Sequence, residues 1–150
     1  MKVATDLVAA SKGKPAQVHL RRAVSTTYYA MFHSLARSCA DLMIGGKGSD
    51  RSTPAWQQVY RSLEHGVAKS ACANLSKMLL FPQTIRDFAN LFVAMQGKRY
   101  KADYDPADQF YKSSVMNDIN IVASSITQFN SAPIKDRRAF AAHVLFKQRA

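Results

Sequence analysis

The sequence predicts an all-α protein, an antiparallel helical bundle with three long helices at about 15–44, 82–102 and 106–130 and shorter helices completing it. Three observations carry that expectation. Apolar residues recur every three or four positions, most clearly at Leu20, Val24, Tyr28, Met31, Leu35, Cys39 and Leu42, which is the period of one buried helix face. No segment keeps the two-residue alternation of a half-buried strand. The 5 prolines all fall at or next to the start of a periodic run, where a missing N–H costs a helix nothing.

In order along the chain, residues 3–10 form a short first helix centred on Leu7 and Val8 and closed by Gly13. Pro15 opens the long helix, which reaches about Ile44 and stops at Gly45, Gly46 and Gly48. The glycine-rich GGKGSDRST that follows lacks the lysine-serine ending and the preceding strand of a phosphate-cradling loop, so a plain connection is expected. Thr53 and Pro54 start a short helix to about Glu64, with Trp56, Val59, Tyr60 and Leu63 on its apolar side and Gly66 ending or kinking it. Residues 67–78, rich in small side chains, read as a second short helix.

Pro82 starts the next long helix, with Ile85, Phe88, Phe92 and Met95 on one face, and the pattern breaks at Asp105-Pro106. Aspartate followed by proline signals a new helix start, and Phe110, Val115, Ile119, Val122, Ile126 and Phe129 make its stripe. Pro133 opens a last helix, whose apolar strip lies beneath a basic head of Lys135, Arg137 and Arg138.

With 150 residues, 47% of them hydrophobic, and no break in composition, the chain is expected to form a single domain over residues 1–150 with one sizeable core. The 21 Lys and Arg against 10 Asp and Glu give a net charge of +11, which favours an anionic partner such as nucleic acid or a phosphate-bearing ligand. The cations are spread along the chain, so a well-solvated basic surface accounts for them equally well. Cys39 and Cys72 suit buried thiols in a reducing compartment. No apolar run approaches the roughly 18 residues of a transmembrane helix, and the start MKVATDLVAASKGK lacks a signal-peptide core. A cytoplasmic location away from the membrane is the expectation.

Three groups of residues could carry chemistry. Arg61 and His65 are four residues apart on the short helix, so both side chains are expected to project from one face. Attack by a ribose 2′-hydroxyl on its own phosphate needs a base for the proton and a cation for the charged phosphorane, and His with Arg supplies both without metal. A helix-end pair, with the histidine at a C-terminus, is the structural alternative. The second group is a polar line on the long helix, Arg22, Tyr29, His33 and Arg37, about 100° around from the apolar stripe. It could bind phosphate, or consist of a tyrosine and histidine satisfied internally. Arg99, Asp103 and Tyr104 form the third, in which Arg99 and Asp103 also make an ordinary i,i+4 ion pair. His19 and His143 read as surface residues. No spacing of His, Cys, Asp and Glu approaches a zinc site, and no cofactor motif is present.

Paired arginines, then a serine, Tyr28-Tyr29-Ala30 and Phe32-His33 on a long helix resemble helix two of the HEPN superfamily (higher eukaryote and prokaryote nucleotide-binding domains). The resemblance resumes at WQQVYRSLEHGVAK and RYKADYDP and covers roughly residues 15–110. It implies a helical bundle that dimerises and is associated with RNA or a nucleotide. Ribonuclease members of the superfamily carry an arginine, usually followed by a polar residue, and a histidine after four to six further residues, with two copies meeting across the dimer. Arg61-Ser62-Leu63-Glu64-His65 is similar, with three residues intervening. The resemblance thus implies a candidate metal-independent endoribonuclease of toxin or defence type, with Arg61 and His65 catalytic and Arg22, Tyr29, His33, Arg37, Arg99, Asp103 and Tyr104 as binders. The alternatives it leaves are a non-catalytic nucleic-acid or nucleotide binding module, and a helical interaction partner of a nucleotidyltransferase.

Overall fold

The structure, a computed structural model, describes residues 1–9 and 16–149. Among them are eight helices and no strand: α1 (Lys2–Ala9), α2 (Gln17–Ile44), α3 (Thr53–Ser62), α4 (His65–Ala73), α5 (Leu75–Met78), α6 (Gln83–Tyr104), α7 (Lys112–Asn130) and α8 (Ile134–Leu145). The all-α bundle expected from the periodicity is the observed fold, and α2, α6 and α7 are its three long helices. The expected start of the second helix at Pro15 lies outside the described residues.

Helix α2 is the centre of the bundle and packs against α1, α3, α6, α7 and α8. Its stripe Leu20, Val24, Tyr28, Met31, Leu35 and Cys39 is buried, because a 28-residue helix surrounded on several sides must fill its inward face with apolar side chains. Around it, Phe88, Phe92, Phe129 and Phe140 form an aromatic core, with Phe88 and Phe129 centroids 4.4 Å apart. Offset and edge-on ring pairs of this kind add stabilisation beyond the area they remove from water. A second cluster, with Val8, Leu20, Val24, Val115 and Ile119, packs α1 against the N-terminal half of α2 and of α7. Cys39 and Cys72 are buried free thiols, and burial pushes both up to about 12.

Four boundaries differ from the sequence expectation. The short helix expected over 54–64 ends at Ser62, and Leu63 and Glu64 are extended (ψ 123° and 136°) before α4 begins at His65. This break lets Leu63 turn into the core, where it is 5 % exposed, and directs α4 onto α6 and α8. Arg61 and His65 are therefore not on one face of one helix, nor is His65 at a helix C-terminus. Gly66 stops nothing, since it lies in the first turn of α4.

Residues 67–78 are not one helix either. Asn74 separates α4 from α5, its side chain accepting from the Lys77 N–H as an N-cap. Pro82 and Pro133 are N-caps, each just before the first helical residue, and Ser52 caps α3 by accepting from the Ala55 N–H.

The largest difference is at Asp105-Pro106, which does not start a helix, since α7 begins at Lys112. The intervening loop is held from α2. Arg21 donates through Nη1 to the carbonyls of Lys101, Ala102 and Asp105 and through Nη2 to that of Asp108. Gln17 both donates to the Phe110 carbonyl (2.8 Å) and accepts from its N–H (2.9 Å). These bonds satisfy backbone groups that a helix would have used itself, so the tertiary contacts override the local start signal. Beyond the loop, Lys98 reaches across to the buried carboxylate of Asp118 at 2.8 Å and ties α6 to α7. Among the described residues no helix is long and apolar enough to cross a membrane.

Candidate functional site

Positions 28, 29, 32 and 33 of α2 lie on two adjacent rows of its surface, and the break before α4 lays His65 across them. The His65 imidazole stacks on Phe32, ring centroids 3.8 Å apart and 17° from parallel, and meets Tyr29 edge-on at 5.7 Å. Its Nδ1 is 2.6 Å from the Tyr28 hydroxyl. Gln96 of α6 donates to the His65 backbone carbonyl at 3.3 Å and steadies the first residue of α4.

Burial lowers the His65 pKa, and the positive charge of Arg99 and the nearby His33 lower it further, so the ring is neutral at neutral pH. Tyr28 is fully buried, and burial raises its phenol to about 12 against the opposing pull of Arg99. The phenol therefore keeps its proton and can donate it to Nδ1 of the neutral ring, the arrangement that places the imidazole proton on Nε2. If the ring becomes charged, the same phenol oxygen accepts from Nδ1–H, so Tyr28 orients His65 in both states.

Arg99 of α6 packs over both tyrosines, its guanidinium carbon 5.2 Å and 5.5 Å from the ring centres of Tyr28 and Tyr29. Among the described residues its one carboxylate partner is Asp103 at 3.5 Å. Burial works against the charge, but Tyr29, Tyr28 and Asp103 outweigh it and the Arg99 pKa is raised. The Nε of Arg99 and the Oε1 of Gln96 are both buried without a hydrogen-bond partner. Unsatisfied buried polar atoms are uncommon in folded proteins, and here two of them belong to side chains around His65.

A second tyrosine–histidine pair adjoins the first. Tyr60 of α3 is hydrogen-bonded to His33 Nδ1 at 2.7 Å, with the two rings 5° from parallel. His33 in turn stacks on Tyr29 at 6.0 Å, and Tyr60 on Trp56 at 5.2 Å. Trp56 is fixed by donation to Asp41 (2.8 Å) and by Arg51 over its ring (4.8 Å). The result is a continuous row from Trp56 through Tyr60, His33 and Tyr29 to His65.

Of the residues the sequence singled out, Tyr29, His33, His65 and Arg99 converge, and Asp103 joins through Arg99. Arg61 is exposed in the last turn of α3 and makes no hydrogen bond or ion pair among the described residues. Arg22 is exposed, seven residues before Tyr29 on α2. Arg37 is exposed one turn beyond His33, and Tyr104 packs at a tilt against Tyr100, ring centroids 5.0 Å apart, rather than on the histidines. His143 is not a surface residue. It is half-buried beside Phe81, with Nε2 2.8 Å from the Ala71 carbonyl.

Sequence reasoning placed Tyr28 in the apolar stripe and missed its part in the site. The available signal was chemical, since a phenol on a core face needs a hydrogen-bond partner. Tyr60 and Gln96 carried no comparable signal. Among the described residues no three His, Cys, Asp or Glu are grouped so as to hold a metal ion. Comparison with protein-family models, curated proteins and solved structures gives no match.

Proposed function

We propose that this chain is an HEPN-like, RNA-associated protein that cleaves RNA without metal, with His65 transferring the proton and Arg99 placing positive charge beside it. The observation that carries the reading is the Tyr28–His65 bond. It holds a neutral imidazole by Nδ1, with Arg99 packed over the same tyrosine. A neutral imidazole held in a fixed orientation can take up a proton as a general base, and a fixed guanidinium suits the charge that develops on a phosphorane. The net charge of +11 favours a polyanionic substrate.

Arg61 fits this reading as a residue that serves a second copy. It is exposed on a different helix from His65, and a two-fold dimer through α3 would carry it toward the partner's centre. The separation of Arg61 from His65 within one chain also supports the second reading, a nucleic-acid or nucleotide binding module without chemistry.

The test is incubation of purified protein with single-stranded RNA in EDTA. Cleavage is expected, with 2′,3′-cyclic phosphate ends and with DNA of the same sequence left intact for want of a 2′-hydroxyl. His65→Ala should slow cleavage by about 10²–10⁴-fold and retain most of the binding, which many cations share. Salt-sensitive RNA binding with no cleavage by the wild-type protein would decide for the binding module.

A further inference from the structure

Beyond His33, α2 borders a cleft of about 600 Å³ between α2, α7 and α8, within the usual range of small-ligand sites, about 300–1,000 Å³. His33 and Arg37 line it from α2, Asn130 from the end of α7 and Arg137 from α8. Ser38 lies on the same wall, only 8 % exposed, and its hydroxyl has no hydrogen-bond partner.

That hydroxyl is the anomaly. A helical serine or threonine whose hydroxyl does not face solvent can return it to the carbonyl four residues back. Thr27, Ser62, Thr127 and Ser131 all do so here, at 2.6–3.2 Å. Ser38 does not, and a buried hydroxyl left unpaired is destabilising.

The other groups around the cleft are donors as well. Arg137 spends its Nε on the Ala132 carbonyl at 2.8 Å, which fixes the stem and leaves both terminal nitrogens without a partner among the described residues. Arg37 has no hydrogen-bond or ionic partner among the described residues, and His33 Nδ1 is engaged with the Tyr60 hydroxyl at 2.7 Å, which leaves Nε2 as the ring nitrogen open to a ligand. The one carboxylate on the wall, Asp41, is occupied by Arg51 at 3.2 Å and Trp56 at 2.8 Å.

We infer that this cleft is a phosphate-binding subsite, in which Ser38, Arg37, Arg137 and the Nε2–H of His33 donate to one phosphate group. Two guanidiniums match the oxygens of a phosphate in fork geometry, and Ser38 is the donor that an anion, rather than a carbonyl of its own helix, satisfies. His33 belongs to the row that leads through Tyr29 to His65. The inference therefore rests on the RNA-associated reading in one respect only, that the phosphate belongs to a nucleotide or strand.

The test is titration of the full chain, with His65→Gln present in every sample so that nothing turns over. The probes are inorganic phosphate, a nucleoside 5′-monophosphate and a short 2′-O-methyl RNA, followed by calorimetry and by amide shifts in NMR spectra. Phosphate should perturb the amides around Ser38 and Asn130, and Ser38→Ala should weaken binding about 10-fold or more, as for a lost hydrogen bond to a charged group. The melting temperature of Ser38→Ala should stay unchanged or rise, because alanine removes an unpaired buried hydroxyl. Arg137→Gln should weaken binding further. Tighter binding of the monophosphate than of phosphate identifies a nucleotide as the source, and tightest binding of the RNA identifies the strand. Equal affinity of wild type and Ser38→Ala for all three probes, or shifts confined to other faces, overturns the inference. Either result is independent of whether wild-type protein cleaves RNA.

Discussion

The hydroxyl of Tyr28, at the middle of α2, lies 2.6 Å from Nδ1 of His65, the first residue of α4. One hydrogen bond thus couples the most buried tyrosine of the core to the half-exposed imidazole of the site. The same two helices are also joined by the stacking of His65 on Phe32, so removing the hydroxyl changes the chemistry of the ring without removing its seat.

Tyr28→Phe is accordingly expected to fold, at a cost of about 1–3 kcal/mol for the imidazole nitrogen left without its donor. Nitrogen shifts of His65 in NMR spectra should move from a single Nε2–H tautomer toward a mixture. Cleavage should fall more than RNA affinity does. Unchanged His65 shifts in Tyr28→Phe would show that the phenol does not orient the ring.

Stability should depend on pH through His65. Its folded pKa is lowered from the usual 6.5 by burial, Arg99 and His33, so between the two values the unfolded chain binds more protons than the native one, and stability rises with pH there. The contribution is present above about pH 6.5 and is lost as pH falls through the folded value. Wild type should therefore lose more of its melting temperature than His65→Gln on going from pH 7.5 to pH 5. Parallel curves for the two proteins would mean that His65 charges freely in the fold.

Core and site were legible in the sequence to different degrees, for physical reasons. Periodicity reports burial, and it correctly put Met31, Leu35, Phe88, Phe92 and Val122 together in the interior, with Ile126 packed at the edge. Periodicity is silent about which helix a side chain meets. The polar line Tyr29, His33 could be read on α2, but that Tyr60 would face it is a matter of how α3 packs on α2, and that His65 would do so depended on the break at Leu63-Glu64, which no local signal marks. The loop over 105–111 was misread because Arg21 and Gln17, more than eighty residues away in sequence, supply its hydrogen bonds. Arg21 looked in the sequence like one more surface cation.

Phe92 stands at the junction of these two regions, fully buried and with its ring 5.5 Å from that of Tyr28. Phe92→Ala should cost about 3–5 kcal/mol, the range for deleting a buried aromatic ring, as read from urea unfolding. It should also loosen Tyr28 and with it the His65 tautomer. A melt indistinguishable from wild type would place Phe92 outside the core.

The two arginines separate the catalytic possibilities. Arg99 is partly buried, lies over Tyr28 and Tyr29, has an unpaired buried Nε, and acts on the His65 pKa through its charge. Arg61 is exposed and on a different helix from His65. If Arg99 is the cation of the site, Arg99→Gln should raise the His65 pKa, because a positive neighbour that disfavours the charged ring is gone, and should slow cleavage by about 10²–10³-fold. Arg61→Ala should leave the His65 pKa untouched. Its effect on rate depends on association: in a dimer built through α3 it should slow cleavage, and a mixture with His65→Ala chains should recover activity through heterodimers that hold one intact centre. Sedimentation at tens of micromolar decides the premise. A protein that stays monomeric and cleaves normally as Arg61→Ala would leave Arg99 as the sole phosphate cation at His65, whereas a wild-type His65 pKa in Arg99→Gln would remove Arg99 from the site.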